Sequence, residues 1–169
     1  DQLWDELMEF PSIQFGVEMA FLSLQSKSLF ELFPSEFTEG KKNMLINGLV
    51  WMGEEQFMKT QIEEKLAQGF SCIKLKIGAI DFDKELGLLR FIRQNFDAKT
   101  IEIRVDANGA FNSNEALSKL NQLNEFELHS IEQPIKANQI QEMKLLCHQT
   151  PFPIALDEEL IGVFGIENK

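Results

Sequence analysis

From Met44 onward the apolar positions of the chain switch between two periods. Met44–Trp51 reads as a strand, and Gly53–Gln68 sets Met58, Ile62 and Leu66 at i, i+4 and i+8, one stripe of a helix. Ser71–Ile77 alternates as a second strand. Phe82, Leu86, Leu89, Ile92 and Phe96 then mark one face of a second helix. Thr100–Asp106 is the next strand, and Asn112 followed by Glu115 predicts a capped helix carrying Leu117, Leu120 and Leu123. Leu128–Glu132 is a strand ended by Pro134, Ile140–Gln149 a helix that must stop before Pro151, and Ile154–Asp157 a fifth strand. Ahead of this alternation, residues 1–33 read as mostly helical. Ser12 can cap, and Phe15, Met19, Leu22 and Leu24 form a stripe interrupted by Gly16. Pro34, Ser35 and Gly40 predict a loop up to Asn43. The chain thus divides into a helix and loop, 1–43, and a repeating segment, 44–169.

Strand–helix–strand repetition means parallel strands joined by right-handed crossovers. Lys76, Asp106, Glu132 and Asp157 are spaced by 30, 26 and 25 residues. A (β/α)8 barrel uses about 31 residues per unit, but a doubly wound sheet has a similar pitch. The faces decide. Ile73, Leu75 and Ile77 share one face of their strand, and Cys72, Lys74 and Lys76 the other. Ile101, Ile103 and Val105 likewise oppose Glu102, Arg104 and Asp106, and Ile154 and Leu156 oppose Ala155 and Asp157. A sheet covered by helices on both sides reads as nearly continuous hydrophobics. One apolar and one charged face favours a TIM-like barrel with the charges turned inward.

Composition narrows the partners. Among 169 residues, 16 basic side chains stand against 27 acidic ones, a net charge of −11. That balance argues against nucleic acid and anionic membrane surfaces. No apolar run approaches the ~18–20 residues of a membrane span. Two cysteines, Cys72 and Cys147, are too few for a disulfide scaffold and fit a reducing compartment. With no signal peptide visible, the expected location is cytoplasmic.

The charges sit late in their strands, and the C-terminal strand ends of a barrel build its active site. Lys74, Lys76, Asp106, Glu132 and Asp157 are therefore expected to converge on one mouth. Three acids on three consecutive strands repel one another without a cation, and an all-oxygen set suits Mg²⁺. The alternative is a structural network in which these acids pair with Arg104, Lys74 and Lys76. Lys74 and Lys76 lie roughly 7 Å apart along the strand. Like charges at that distance repel by about 2.4 kcal/mol at an effective dielectric near 20. That repulsion favours one neutral amine, as a general base requires. His129 shares the parity of Ile131 and is expected to pack under a helix, while His148 sits at a helix end in solvent. Cys72 points inward below the lysines, and Cys147 joins a helix face with Ile140 and Met143; both read as inert thiols.

KLKIG (Lys74–Gly78), RVDANGAF (Arg104–Phe111), IEQP (Ile131–Pro134) and ALDEEL (Ala155–Leu160), in this order and spacing, resemble the enolase superfamily and its muconate-lactonizing-like subgroup. PSIQFGVEMA (Pro11–Ala20), NGLVWMG (Asn47–Gly53) and ALDEELIG resemble the branch that makes o-succinylbenzoate in menaquinone biosynthesis. The resemblance covers essentially the whole chain. It implies Mg²⁺-assisted dehydration of 2-succinyl-6-hydroxy-2,4-cyclohexadiene-1-carboxylate, a small carboxylate substrate. Asp106, Glu132 and Asp157 would hold Mg²⁺, and Lys76 would take the α-proton. Lys74 would support the carboxylate, and Asn108 would line the substrate site. Dipeptide epimerisation and N-acylamino acid racemisation on the same scaffold are the alternatives, as is a non-catalytic fragment. The resemblance further implies a capping domain, of which 1–43 would be the connecting remnant. About five of eight βα units would be present, the second-face lysine would fall beyond Lys169, and this stretch alone would be inactive. Assembly as a homo-oligomer is compatible with the sequence.

Overall fold

A computed structural model of the chain describes residues 6–28 and 31–163. The chain divides into two compact units, Asp1–Leu45 and Ile46–Lys169. In the first, helix α1 spans Pro11–Gln25. Phe10 rather than Ser12 stands at its N-cap, and Pro11 opens the helix, where its fixed φ suits the first turn. Met19 and Leu22 of the predicted stripe are half-buried, whereas Phe15 and Leu24 are exposed. The ends of the helix predicted over 1–33 fall partly outside the described residues.

The second unit alternates as its periods predict: β1 Gly48–Val50, α2 Glu55–Ala67, β2 Cys72–Lys76, α3 Phe82–Asn95, β3 Glu102–Asp106, α4 Ser113–Leu123, β4 Ser130–Glu132, α5 Ile140–Gln149 and β5 Ile154–Ala155. All pairings are parallel, and the order is β1-β2-β3-β4-β5. A doubly wound sheet reverses its order at a switch point; this one never does. Unbroken order in one direction is an arc of a (β/α)8 barrel. Among the described residues no helix is long and apolar enough to cross a membrane.

The apolar strand face forms the core. Ile73, Leu75, Ile103, Val105 and Ile131 are buried with Met58 and Ile62 of α2, Leu86, Leu89 and Ile92 of α3, and Leu120 and Leu123 of α4. Two polar side chains start helices as caps. Asp81 accepts the N–H of Asp83 at 3.0 Å, and Asn112 accepts that of Asn114 at 3.1 Å. Tight turns close the strand ends. Gly78 has φ +94°, and a Cβ there would lie 2.3 Å from Ala110 Cβ, so only glycine fits.

The strands are shorter than their patterns suggest, because a strand persists only where a neighbour answers its ladder. β1 begins at Gly48, the register partner of Ile73, and Met44–Ile46 are exposed instead of paired. β5 ends at Ala155, opposite Glu132, so Asp157 lies beyond the strand rather than in it. Two packing expectations fail. His129 is exposed just before β4, its Nδ1 2.9 Å from Ser130 Oγ, rather than under a helix. On α5 the buried face is Met143 and Leu146, which leaves Ile140 and Cys147 exposed.

Candidate functional site

Register brings the charged groups together. Lys76 pairs in register with Asp106, and Asp106 with Glu132, so three strand ends stand side by side. Lys76 Nζ donates to Asp106 Oδ2 at 2.7 Å. Lys74 Nζ donates to Glu132 Oε2 at 2.6 Å and lies 3.3 Å from the same Asp106 oxygen. The Asp106 side chain is wholly buried, while the two lysines keep 21% and 17% exposure, so the knot is reached from one side.

Asn108 completes it. Its φ is +44°, a left-handed turn that asparagine tolerates better than most residues. The turn lets its N–H reach Asp106 Oδ1 at 3.0 Å while its Oδ1 accepts from Lys76 at 2.9 Å. Asn108 Nδ2 donates to Glu158 Oε1 at 3.0 Å, and the other Glu158 oxygen is buried with no hydrogen-bond partner among the described residues. Trp51, just past β1, places its ring centroid 6.0 Å from Lys76 Nζ.

Charge states follow from these contacts. Burial pushes the Asp106 carboxyl up, but the Lys76 hydrogen bond, the Asn108 N–H and the Lys74 charge outweigh it, so the group titrates below the usual range. Burial likewise pulls Lys74 down, and its bond to Glu132 with the charges of Asp106 and Glu132 more than reverses that. Lys74 is thus held protonated. Repulsion between the lysines was expected to free one amine; for Lys74 the carboxylates are nearer and dominate. Arg104 takes no part, pairing with Glu102 at 2.6 Å.

Asp157 is exposed, and its carboxylate makes no ion pair or hydrogen bond, with the four groups that meet or otherwise, among the described residues. Four of the five expected groups are thus joined by direct contacts among the described residues, and β5 ends at Ala155, two residues before Asp157. Among the described residues no three His, Cys, Asp or Glu side chains gather as a metal cage. The Asp106–Glu132 pair does fit a hard divalent cation. Both donors are carboxylates at adjacent register positions, and an ammonium already bridges them as a stand-in positive charge.

Two polar residues escaped the sequence reading. Glu85 is 2% exposed on the apolar face of α3, where it accepts the Gly78 N–H at 2.6 Å. Its signal was an acid among Phe82, Leu86 and Leu89. Gln133, inside IEQP, is fully buried with φ +39°. Its sequence neighbours do not distinguish it, since apart from Ile135 O its side-chain partners, Asp157 and Glu159, lie in a distant loop.

Comparison with known proteins gives the following. The family described as "Enolase C-terminal domain-like" matches residues 58–168. The o-succinylbenzoate synthase of Desulfotalea psychrophila is 56% identical over 160 residues, which is 95% of this chain and 43% of that protein. The crystal structure of MenC from the same organism aligns with a TM-score of 0.74 and 54% identity, covering 85% of this chain and 40% of that one. A hydrophobic dipeptide epimerase of Enterococcus faecalis is 25% identical over 162 residues, 93% of this chain and 44% of the relative. The chain therefore spans less than half the length of these relatives.

Proposed function

The chain belongs to the enolase superfamily, and from that premise we propose that the full-length protein dehydrates 2-succinyl-6-hydroxy-2,4-cyclohexadiene-1-carboxylate to o-succinylbenzoate in menaquinone biosynthesis. The observation that carries this reading is the Lys76–Asp106 contact at 2.7 Å, set beside Glu132 at the strand ends of a chain 56% identical to an o-succinylbenzoate synthase. Asp106 and Glu132, with Asp157 as the third acid, would hold Mg²⁺. Bound there, the ion would supply positive charge for the substrate carboxylate and would offset the acid charges that hold Lys74 protonated.

Lys76, in its neutral form, takes the proton from the carbon next to the substrate carboxylate. The electron pair of that C–H bond moves into the ring and expels the hydroxyl group from the neighbouring carbon. Lys76 returns its proton to the departing oxygen, so the hydroxide leaves as water and the ring becomes aromatic. Lys74 donates to the developing negative charge on the carboxylate, and Asn108 holds the Lys76 amine in place. The second-face lysine, needed for two-base chemistry, would lie outside this stretch. The 169 residues by themselves are proposed to be inactive.

The test is an assay of the full-length protein for o-succinylbenzoate, with Mg²⁺ and with EDTA, beside epimerisation of acidic dipeptides. Metal-dependent aromatic product is expected. Epimerisation without dehydration would move the protein to the rival reaction, and neither activity would overturn an enzymatic reading.

A further inference from the structure

We infer that Gln133 is a positioning residue, whose single buried amide fixes the segment carrying Asp157 and so sets how tightly the site holds a divalent cation. This rests on the cation reading proposed above.

The main chain of Gln133 already joins two neighbouring segments: its N–H donates to Ala155 O at 3.0 Å, and its carbonyl accepts from Gly109 N at 2.7 Å. The side chain extends the link to the segment after β5. Gln133 Oε1 accepts the N–H of Asp157 at 3.1 Å and that of Glu159 at 3.2 Å. Nε2 donates to Ile135 O at 3.0 Å and lies 3.4 Å from Glu159 Oε2. Glu159 in turn accepts Asn138 N at 3.2 Å through its other oxygen. The loops after β3 and β5, which carry Asn108 and Asp157, thus meet at the residue that follows Glu132 at the end of β4.

The chemistry asks for an amide. Two N–H groups need an acceptor, while a carbonyl and a carboxylate need a donor, and one side chain with no exposure supplies both. Glutamate would keep the acceptor, lose the donor and face Glu159. Methionine would keep the shape and lose both. The left-handed φ of +39° is tolerated because these bonds over-determine it. Asp157 lies outside the strands and its side chain has no partner among the described residues, so the Gln133 amide, by taking the N–H groups of Asp157 and Glu159, adds to the Ala155 main-chain bond and the Asn108–Glu158 bond in holding this segment.

The test uses the full-length protein stripped of metal, with a Gln133→Met variant and a Gln133→Glu/Glu159→Gln double variant. Mn²⁺ binding is followed by calorimetry, and amide hydrogen exchange is followed in the metal-free state. Gln133→Met is expected to weaken Mn²⁺ on the order of tenfold or more, the size typical of groups that orient metal ligands. The amides of Asp157 and Glu159 should exchange faster, and those of β2 and β3 should not change. Gln133→Glu keeps the acceptor but faces Glu159, so it is combined with Glu159→Gln, which returns a donor to the pair; this double variant should leave both amides slow, and it serves as the test if the methionine variant fails to fold. Wild-type Mn²⁺ affinity with slow amides in Gln133→Met, or fast amides in the Gln133→Glu/Glu159→Gln double variant, would overturn the inference. A wild-type protein that binds no Mn²⁺ would overturn the cation reading and the claim on affinity; exchange at the two amides separately decides the anchoring.

Discussion

Lys74 and Glu132 belong to strands that are not neighbours, yet Lys74 Nζ lies 2.6 Å from Glu132 Oε2. The lysine arches over the end of β3, and its amine passes 3.3 Å from Asp106 on the way. An ammonium therefore occupies the space between two acids that a divalent cation would share.

Competition for those oxygens predicts the behaviour of Lys74→Met. Without metal the variant should lose about 1–2 kcal/mol, the net worth of charged hydrogen bonds in a partly exposed setting. Added Mg²⁺ should then raise its Tm by more than it raises that of the wild type, because no amine has to be displaced. Thermal unfolding in EDTA and in excess Mg²⁺ measures this, and equal metal-induced shifts in both proteins would contradict it.

Lys76→Ala in the full-length protein should reduce kcat for dehydration by about 10²–10⁴, the usual contribution of a positioned base, with a small effect on KM. Steady-state kinetics decides. A variant retaining a tenth of wild-type kcat would remove Lys76 from the role of base.

Gly78→Ala should cost roughly 1–2 kcal/mol for the backbone alone. The overlap with Ala110 Cβ adds to this. Urea unfolding should show an unchanged m-value with a lower midpoint. The loss should also reach the Lys76 end of β2, two residues upstream.

Glu85 gives the pH prediction. Burial pushes its carboxyl above the usual range, against the lowering pull of the Gly78, Ile80 and Ala79 N–H groups. An acid whose folded pKa is raised binds its proton more tightly in the native state. Its stabilising share is complete below the unfolded value of about 4.3 and is lost as pH rises through the folded value. Glu85→Gln removes this dependence. The difference in unfolding free energy, wild type minus variant, should therefore fall as pH increases from 4 and level off above the folded pKa. A difference that grows with pH would reverse the assignment.

The parity of Ile73, Leu75 and Ile103 against Lys74, Lys76 and Asp106 is a property of neighbouring residues, and it carried both the apolar core and the charged strand ends. Helix faces such as Met58–Ile62 and Leu86–Leu89–Ile92 were legible for the same reason. What the local pattern cannot hold is the partner. Gln133 is bonded to residues 24 and 26 positions away, and Glu85, an acid set among Phe82, Leu86 and Leu89, finds its partner only when Gly78 is folded against it. His129 follows the strand's alternation, yet the strand begins one residue later, at Ser130. That Asp157 falls outside β5 depends on how far the ladder with β4 runs, and the pairing stops at Glu132 and Ala155.

Because β1 to β5 follow one another without a skip, the chemical groups at the rim ride on successive stretches of chain, the two lysines on β2, Asp106 and Asn108 at the end of β3, and Glu132 on β4. Exchanging one connecting loop redraws a single corner of the cup and leaves the opposite corners as they were. Such modularity lets reactions as unlike as a dehydration and an epimerisation share one chassis.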